Sequence, residues 1–286
     1  MTKIALVTDS TADTPADILE KYDIHVIPCL INYSDRSYHD RVDIQPEEVY
    51  ARFEEEVPKT SLPSPGEVDQ LFTELEEQGY THVLGVTIAS RLSGTHDLIH
   101  SVAVGHSNLT CDIVDTHLIG LGAGMVVAAT AKKLGEGASF EEAAAYARKA
   151  AENTHMYFCV DTLDYLYKGG RIGKVAYQMG SKFDIRPVIT LVPGDGTYVT
   201  AAKAHGRKAS LKKAIKLVLE HAEGAEGKSI NFAVAHSNAE AEALPVLEKM
   251  KDALPESEYV FAQITPSMVV HTGPGLIGLG IQLLDD

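Results

Sequence analysis

The 286-residue sequence predicts an α/β protein of two domains. Three observations carry that prediction. Strand-length apolar runs alternate with helical patterns through the first half, as in repeated β-α-β units that build a mainly parallel, doubly wound sheet. The second half mixes a hairpin pattern with helices, as in an α+β domain with a mixed sheet. The composition, 45% apolar and 23% charged, is that of a globular chain long enough to bury two cores. The boundary is placed near residue 150. This gives a first domain over 1–150 and a second over 151–286, with a ligand cleft between them.

In chain order, "KIALVTD" (3–9) is continuously apolar, as in a strand covered on both faces. Thr14 as N-cap, Pro15 at the first helical position and Asp17 two residues on open a helix. "IHVIPCLI" (24–31) reads as the next strand and the polar run 34–48 as a loop. Helices follow around 46–56 and 65–78. The second has Ser64 as cap, Pro65 and Glu67 in its first turn, and Val68, Leu71, Phe72 and Leu75 along one face. "HVLGVTI" (82–88) is a strand, "THDLIHSVAVG" (95–105) a helix, "CDIVDT" (111–116) a strand, and 117–134 an Ala- and Gly-rich helix. A capping box at Ser139 opens a helix to about 153. "HMYFCVDT" (155–162) is a strand, and "RPVITLV" and "TYVTAAKA" form a hairpin around "PGDG" (193–196). A helix at 210–222, a strand at 230–237, a helix at 239–253 and the strands "EYVFAQI" and "GLGIQLL" complete the chain.

The formal net charge of −15 disfavours nucleic acid and anionic membrane as partners of the whole molecule. No run approaches the ~18 uninterrupted apolar residues of a spanning helix, so no integral membrane segment is expected. The N-terminal run reaches Asp9 too soon for a signal peptide, which points to the cytoplasm. Cys29, Cys111 and Cys159 form no C-x-x-C pair and read as buried apolar residues. Two basic patches stand out against the acidic background: "YKGGRIGK", with Lys168, Arg171 and Lys174, and "HGRKASLKK", with Arg207.

"VVHTGPGLIGLG" (269–280) holds a G-x-G-x-x-G at Gly273, Gly275 and Gly278. A dinucleotide loop of that spacing needs a following helix and an acidic residue roughly 20 positions on. Eight residues follow Gly278, so the stretch reads as a glycine turn into a last strand, with His271 just ahead of it. No G-x-S-x-G, H-E-x-x-H or P-loop pattern is present. Hydroxyls instead cluster where strands end: Ser10 and Thr11 beside Asp9, Ser90, Ser93 and Thr95, and Thr116 beside Asp115. Thr60 and Ser61 in "KTSLPSP" lead towards a capped helix, and Ser93-Gly94 precedes another. Helix N-termini with hydroxyl donors make an anion site. Neutral donors, with Lys59 and Arg91 as the nearest cations, suit a single carboxylate better than a phosphate.

Five stretches, "TDSTAD", "KTSLPSP", "SRLSGT", "DYLYKGGRIGK" and "HTGPGLIGLG", together resemble the DegV family of bacterial fatty-acid-binding proteins, in order and over nearly the whole chain. The resemblance implies similarity to the fatty-acid-binding subunit of bacterial fatty acid kinase: a non-catalytic protein of phospholipid metabolism with no cofactor. It would enclose a long-chain fatty acid such as palmitate, stearate or oleate and present the carboxylate to a separate kinase subunit for acyl phosphate formation. Carried over by position, Thr60 and Ser93 would bond the carboxylate, His271 would stand beside it, and Ser61 and Gly94 would line the spot. The glycines after His271 would let backbone pass close to the ligand head. Lys168, Arg171, Lys174 and Arg207 would serve docking of an acidic partner, and the protein would be a monomer. Leu62, where the family motif has glutamine, and His96-Asp97, where it has an aromatic residue and glutamine, bear on lipid preference. The competing reading is a hydrolase or acyltransferase with Ser93 as nucleophile, His271 as base and Asp9 or Asp115 as third member.

Overall fold

The computed structural model describes residues 2–172, 175, 185–225 and 227–285; the expectation placed on Lys174 lies outside them. From the N-terminus, β1 (Ile4–Asp9) passes through a 3-10 turn (Ser10–Ala12) into α1 (Ala16–Lys21), β2 (His25–Ile27), β3 (Leu30–Asn32) and β4 (Ser37–His39). Next come α2 (Pro46–Arg52), β5 (Lys59–Ser61), α3 (Pro65–Glu77), β6 (His82–Thr87), α4 (Thr95–Gly105) and β7 (Thr110–Asp115). Then follow α5 (Leu121–Gly135), α6 (Phe140–Glu152), β8 (Thr154–Cys159), α7 (Asp164–Lys168), β9 (Ile185–Leu191) and β10 (Tyr198–His205). The chain ends with α8 (Arg207–Glu223), β11 (Ser229–His236), α9 (Glu240–Ala253), β12 (Glu258–Gln263), α10 (Pro266–Thr272) and β13 (Ile277–Leu284).

The strands of the first half form a parallel sheet in the order β2-β1-β6-β7. Those of the second half form a separate mixed sheet, β10-β9-β8-β13-β11-β12, in which β11 and β12 alone pair in parallel. This is the mixed α/β architecture expected. On the outer face of the parallel sheet, Val68, Phe72 and Leu75 of α3 and Ile99 of α4 pack on Val7 and Val83. On the outer face of the mixed sheet, α8 and α9 pack through residues such as Ala214, Val218, Leu247 and Met250. Between the sheets lie α5 and α6, each touching strands of both.

The small residues of α5 have a steric reason. A Cβ at Gly122 would stand 2.4 Å from Met156 Cγ, and one at Gly124 would stand 2.5 Å from the Ala12 carbonyl. The two glycines let backbone approach on opposite sides, so α5 sits as a wedge between the halves. The core around it is continuous, running from Leu6 and Val114 through Met125 and Val126 to Phe158 and Ala233. The Ser139 capping box is formed, with the Ser139 hydroxyl taking the Glu142 N–H and Glu142 taking the Ser139 N–H.

Several elements differ from expectation. The run 24–31 breaks at Pro28, which lacks an N–H for the ladder. Its first part stays in the parallel sheet, while Leu30–Asn32 turns away into a three-stranded antiparallel sheet, β4-β3-β5. The polar run 34–48 thus contains a strand, and Lys59–Ser61 is a strand and not a capping loop. Thr14 does not cap α1: Asp13 takes a left-handed conformation (φ 51°), and the helix starts after Pro15. The short helices α7 and α10 were not expected at all.

Candidate functional site

Register places the first two donors. β5 pairs with β3 so that Thr60 lies opposite Ile31 and Ser61 opposite Leu30. Ser61 Oγ is further held by Asn32 Nδ2 at 3.0 Å. Across from them, Ser93 closes the turn after β6, where its hydroxyl bonds Thr95 Oγ1 at 2.8 Å. Gly94 is the N-cap residue of α4, and a Cβ there would touch only Leu62. From the far end of the sequence, the last turn of α10 delivers His271, whose Nε2 lies 2.7 Å from Thr60 Oγ1.

Thr60, Ser61, Ser93 and His271 line one cavity of about 230 Å³. Ile88, Leu92, Ile119, Leu166, Tyr198 and Met268 supply apolar wall, and Thr11, Cys29, Ser267 and Thr272 complete it with Leu62 and Arg171. Both halves of the chain contribute. Ser61, Leu62 and Arg171 are exposed and Thr60, Ser93 and His271 half-buried, whereas Ile88, Leu166 and Tyr198 are buried together with the hydroxyl residues Thr11, Ser267 and Thr272. The cavity therefore opens beside Ser61 and Arg171, and its inner wall is mostly apolar. Part of the wall comes from the β9-β10 hairpin. Its tip rests on the first half, where Gly196 fits against Ala89 and His117 and Asp195 pairs with Arg91 at 3.5 Å.

The electrostatics correct one expectation. Arg91 pairs with Asp195 at the surface, and among the described residues the cation that lines the cavity is Arg171, read from sequence as part of a docking patch. Its guanidinium bonds the Gly169 carbonyl at 2.6 Å and the Leu92 carbonyl at 3.5 Å, which bends it over the mouth. Burial, helped by the Arg171 charge, lowers the His271 pKa to about 4, so the ring is neutral at pH 7. Its Nδ1 is buried and has no hydrogen-bond partner among the described residues. An idle lone pair there costs less than an orphaned N–H, which assigns the proton to Nε2. His271 then donates to Thr60, and the Thr60 hydroxyl proton is free to point at a ligand. Burial and the nearby Asp9 and Asp40 push the Cys29 thiol up, which keeps it un-ionised and unreactive.

A glycine makes this seat possible, though not one singled out in the sequence. A Cβ on Gly169 would stand 2.4 Å from His271 Nδ1. The glycines after His271 serve other contacts: a Cβ at Gly273 would enter the Tyr165 ring, and one at Gly275 would strike Asp161. Both have positive φ, 67° and 87°, and Gly278 already lies in the last strand. The dinucleotide spacing is therefore a turn packed on protein.

The other residues of interest lie apart from the cavity. Lys168 is exposed in the last turn of α7. The Arg207 guanidinium is held by Glu242 at 2.9 Å, by the Cys159 carbonyl and by the Gly275 carbonyl. It lines a larger cavity of about 630 Å³ with Asp161, Glu240 and Glu242, whose charged wall suits no aliphatic chain and contains none of the donors above. Among the described residues no three His, Cys, Asp or Glu side chains group as metal ligands, and no helix is long and apolar enough to cross a membrane. Among the described residues, a polar mouth with neutral donors and one cation over a mostly apolar interior suits a ligand with an anionic head and an apolar tail.

The family follows from comparison with known proteins. The family model described as "Uncharacterised protein, DegV family" matches residues 3–283, and the chain belongs to that family. A DegV domain-containing protein of Clostridium acetobutylicum is 42% identical over 285 residues, covering 98% of this chain and 99% of the relative. Among solved structures, a fatty-acid-binding DegV family protein from Thermus thermophilus superposes with a TM-score of 0.90 at 31% identity, covering 99% of this chain and all of that one (100%). DegV of Bacillus subtilis, a fatty acid binding protein, gives 0.90 at 26% identity with the same coverage, 99% and 100%. A stearic acid-binding protein from Eubacterium ventriosum gives 0.89 at 26%, covering 99% and 98%.

Proposed function

We propose that the cavity takes one long-chain fatty acid, such as palmitate, stearate or oleate, with its carboxylate at the mouth. The observation that carries the reading is the joining of Thr60 and His271 at 2.7 Å beside Ser93 and Arg171, in a cavity whose wall is mostly apolar. In this reading Thr60 and Ser93 donate to the carboxylate, His271 fixes the Thr60 hydroxyl, Ser61 and Gly94 shape the rim, and Arg171 supplies the countercharge. The fatty-acid-binding structures described above support it by their close match in fold.

The chain does no chemistry of its own in this reading. Its hydroxyl groups offer the carboxylate to a separate kinase subunit, which forms the acyl phosphate in the cytoplasm, and the binding protein works as a monomer. Arg171 at the mouth and the exposed Lys168 of α7 begin the surface for an acidic partner. Arg207 is left out of that surface because its guanidinium is already engaged. The hydrolase reading lacks support from the geometry. Ser93 bonds Thr95, and His271 has no carboxylate on Nδ1. Asp9 is occupied by Thr11 and Ile88, and Asp115 by Ser90 and His117.

Each buried methylene contributes about 0.8 kcal/mol, so a sixteen-carbon chain gains on the order of 10 kcal/mol before costs. The head then orients more than it binds. Displacement of a labelled fatty acid tests this. Shortening the competitor from sixteen to eight carbons removes about 6 kcal/mol of burial and is expected to weaken it far more than Ser93→Ala or His271→Ala does. Equal competition by octanoate and palmitate would rule the reading out, and steady turnover of chromogenic esters lost in Ser93→Ala would favour the enzyme.

A further inference from the structure

The "TDSTAD" loop looked like part of an anion site, yet of its polar residues Thr11 alone lines the cavity. Its acidic groups are used elsewhere. Asp13 is fully buried, and its Oδ1 accepts the Thr265 N–H at 2.8 Å. Asp40, 1% exposed, accepts the Ser267 N–H at 3.2 Å with Oδ1 and the Ser10 hydroxyl at 2.7 Å with Oδ2. Between them Arg41 donates to the Gln263 carbonyl at 3.1 Å and to the Thr14 carbonyl at 3.5 Å. Residues 263, 265 and 267 of one segment are thus each bonded through the backbone by an acidic or basic side chain from the opposite half of the protein. That segment opens α10, and α10 is only seven residues long.

The consequence is geometric. Residues four apart lie on the same face of a helix, one turn from each other. Ser267 and His271 have that relation, and both line the cavity. Pro266 has no N–H to place, so the bonds at Thr265 and Ser267 fix the start and the rotation of the helix. At its other end the ring fits between Gly169 and Thr60. We propose that Asp13, Asp40 and Arg41 are positioning residues of the binding site: they clamp the start of α10 and thereby set His271 against Thr60. Its bearing on ligand binding rests on the fatty-acid reading above; its bearing on His271 does not.

Asp13 allows a clean test because its backbone is left-handed, which glycine and asparagine both accept. Asp13→Gly keeps the turn and removes the acceptor; Asp13→Asn keeps both. Thr265→Pro attacks the same bond from the donor side, at a φ of −67° that proline already fits. The readouts on the full chain are the ¹⁵N resonances of the His271 ring, assigned with His271→Asn, and palmitate affinity by displacement. Asp13→Gly and Thr265→Pro are expected to shift the ring resonances and weaken palmitate about tenfold, with Asp13→Asn close to wild type. Should Asp13→Gly fail to fold, Thr265→Pro carries the same comparison. An unmoved His271 signal in the folded variants, or an Asp13→Asn that behaves like Asp13→Gly, overturns the clamp. Failure of the wild type to bind palmitate would instead sink the fatty-acid reading and leave the ring measurement standing.

Discussion

His271 meets Thr60 on one side and the bare backbone of Gly169 on the other, and its ring is neutral because burial and Arg171 both oppose a second proton. In the ligand-free protein its ¹⁵N signals are expected to titrate near pH 4, and a midpoint near 6.5 would show the ring to be solvated. A bound carboxylate stabilises the charged form and moves the midpoint upward. Gly169→Ala offers a second handle on the same seat. Gly169 has helical φ and ψ that alanine adopts freely, so any effect comes from the Cβ that would stand 2.4 Å from Nδ1. The substitution is expected to break the Thr60 bond and weaken palmitate about tenfold. Thr11 and Ser93 were legible in the sequence because strand ends carry ligands in sheets of this kind. Thr60 and Ser61, in β5 of the antiparallel sheet, were instead singled out by the stretch before a capped helix and by the family resemblance. Arg171 was read only as part of a docking patch for a physical reason: a basic run looks the same in sequence whether its arginine faces solvent or bends over a cavity. Gly169 left no signal, since the ring it accommodates lies a hundred residues further along the chain.

Among the elements, those with a local code were readable. The capping box at Ser139, the apolar face of α3 and the hairpin around residues 193–196 each depend on neighbours in sequence. β3 turns out of an apolar run that reads as one strand, β4 returns on it through a polar turn, and β5 pairs with it from far along the chain, so none of these three-residue strands shows its own pattern. α7 and α10, five and seven residues long, are too short to show helical periodicity. One contact between elements carries its own prediction. His155 of β8 stacks on His221 of α8 with ring centroids 3.8 Å apart, and His221 bonds the Tyr157 hydroxyl. Burial, then the His221 charge, lowers His155 to about 4. The unfolded chain therefore binds more protons between about pH 4 and 6.5, and this contribution to stability, complete above 6.5, is lost as pH falls through that window. Asp13 works in the opposite direction, because burial raises it to about 7. Comparison with His155→Phe cancels such background terms. The variant is expected to gain in melting temperature over wild type as pH drops from 6.5 towards 4, and a constant difference across the window would refute the assignment.

On the scale of the molecule, two sheets with their own outer helices are joined by α5 and α6, by one continuous core and by the clamp on α10. We propose that the division between the parts falls near residue 150, towards the end of α6. The cavity lies where both contribute, which is why its donors are scattered from Thr11 to Thr272 and why short motifs in several places had to be read together. A mouth of hydroxyls with Arg171 over it and a mostly apolar interior define the central proposal, that the protein carries a long-chain fatty acid with its carboxylate outward. Mass spectrometry of an organic extract of the purified protein measures this most directly. The account predicts a free fatty acid of about sixteen to eighteen carbons, retained because each methylene contributes about 0.8 kcal/mol. An extract without fatty acid, from protein that also fails to take up added palmitate or oleate, would contradict it.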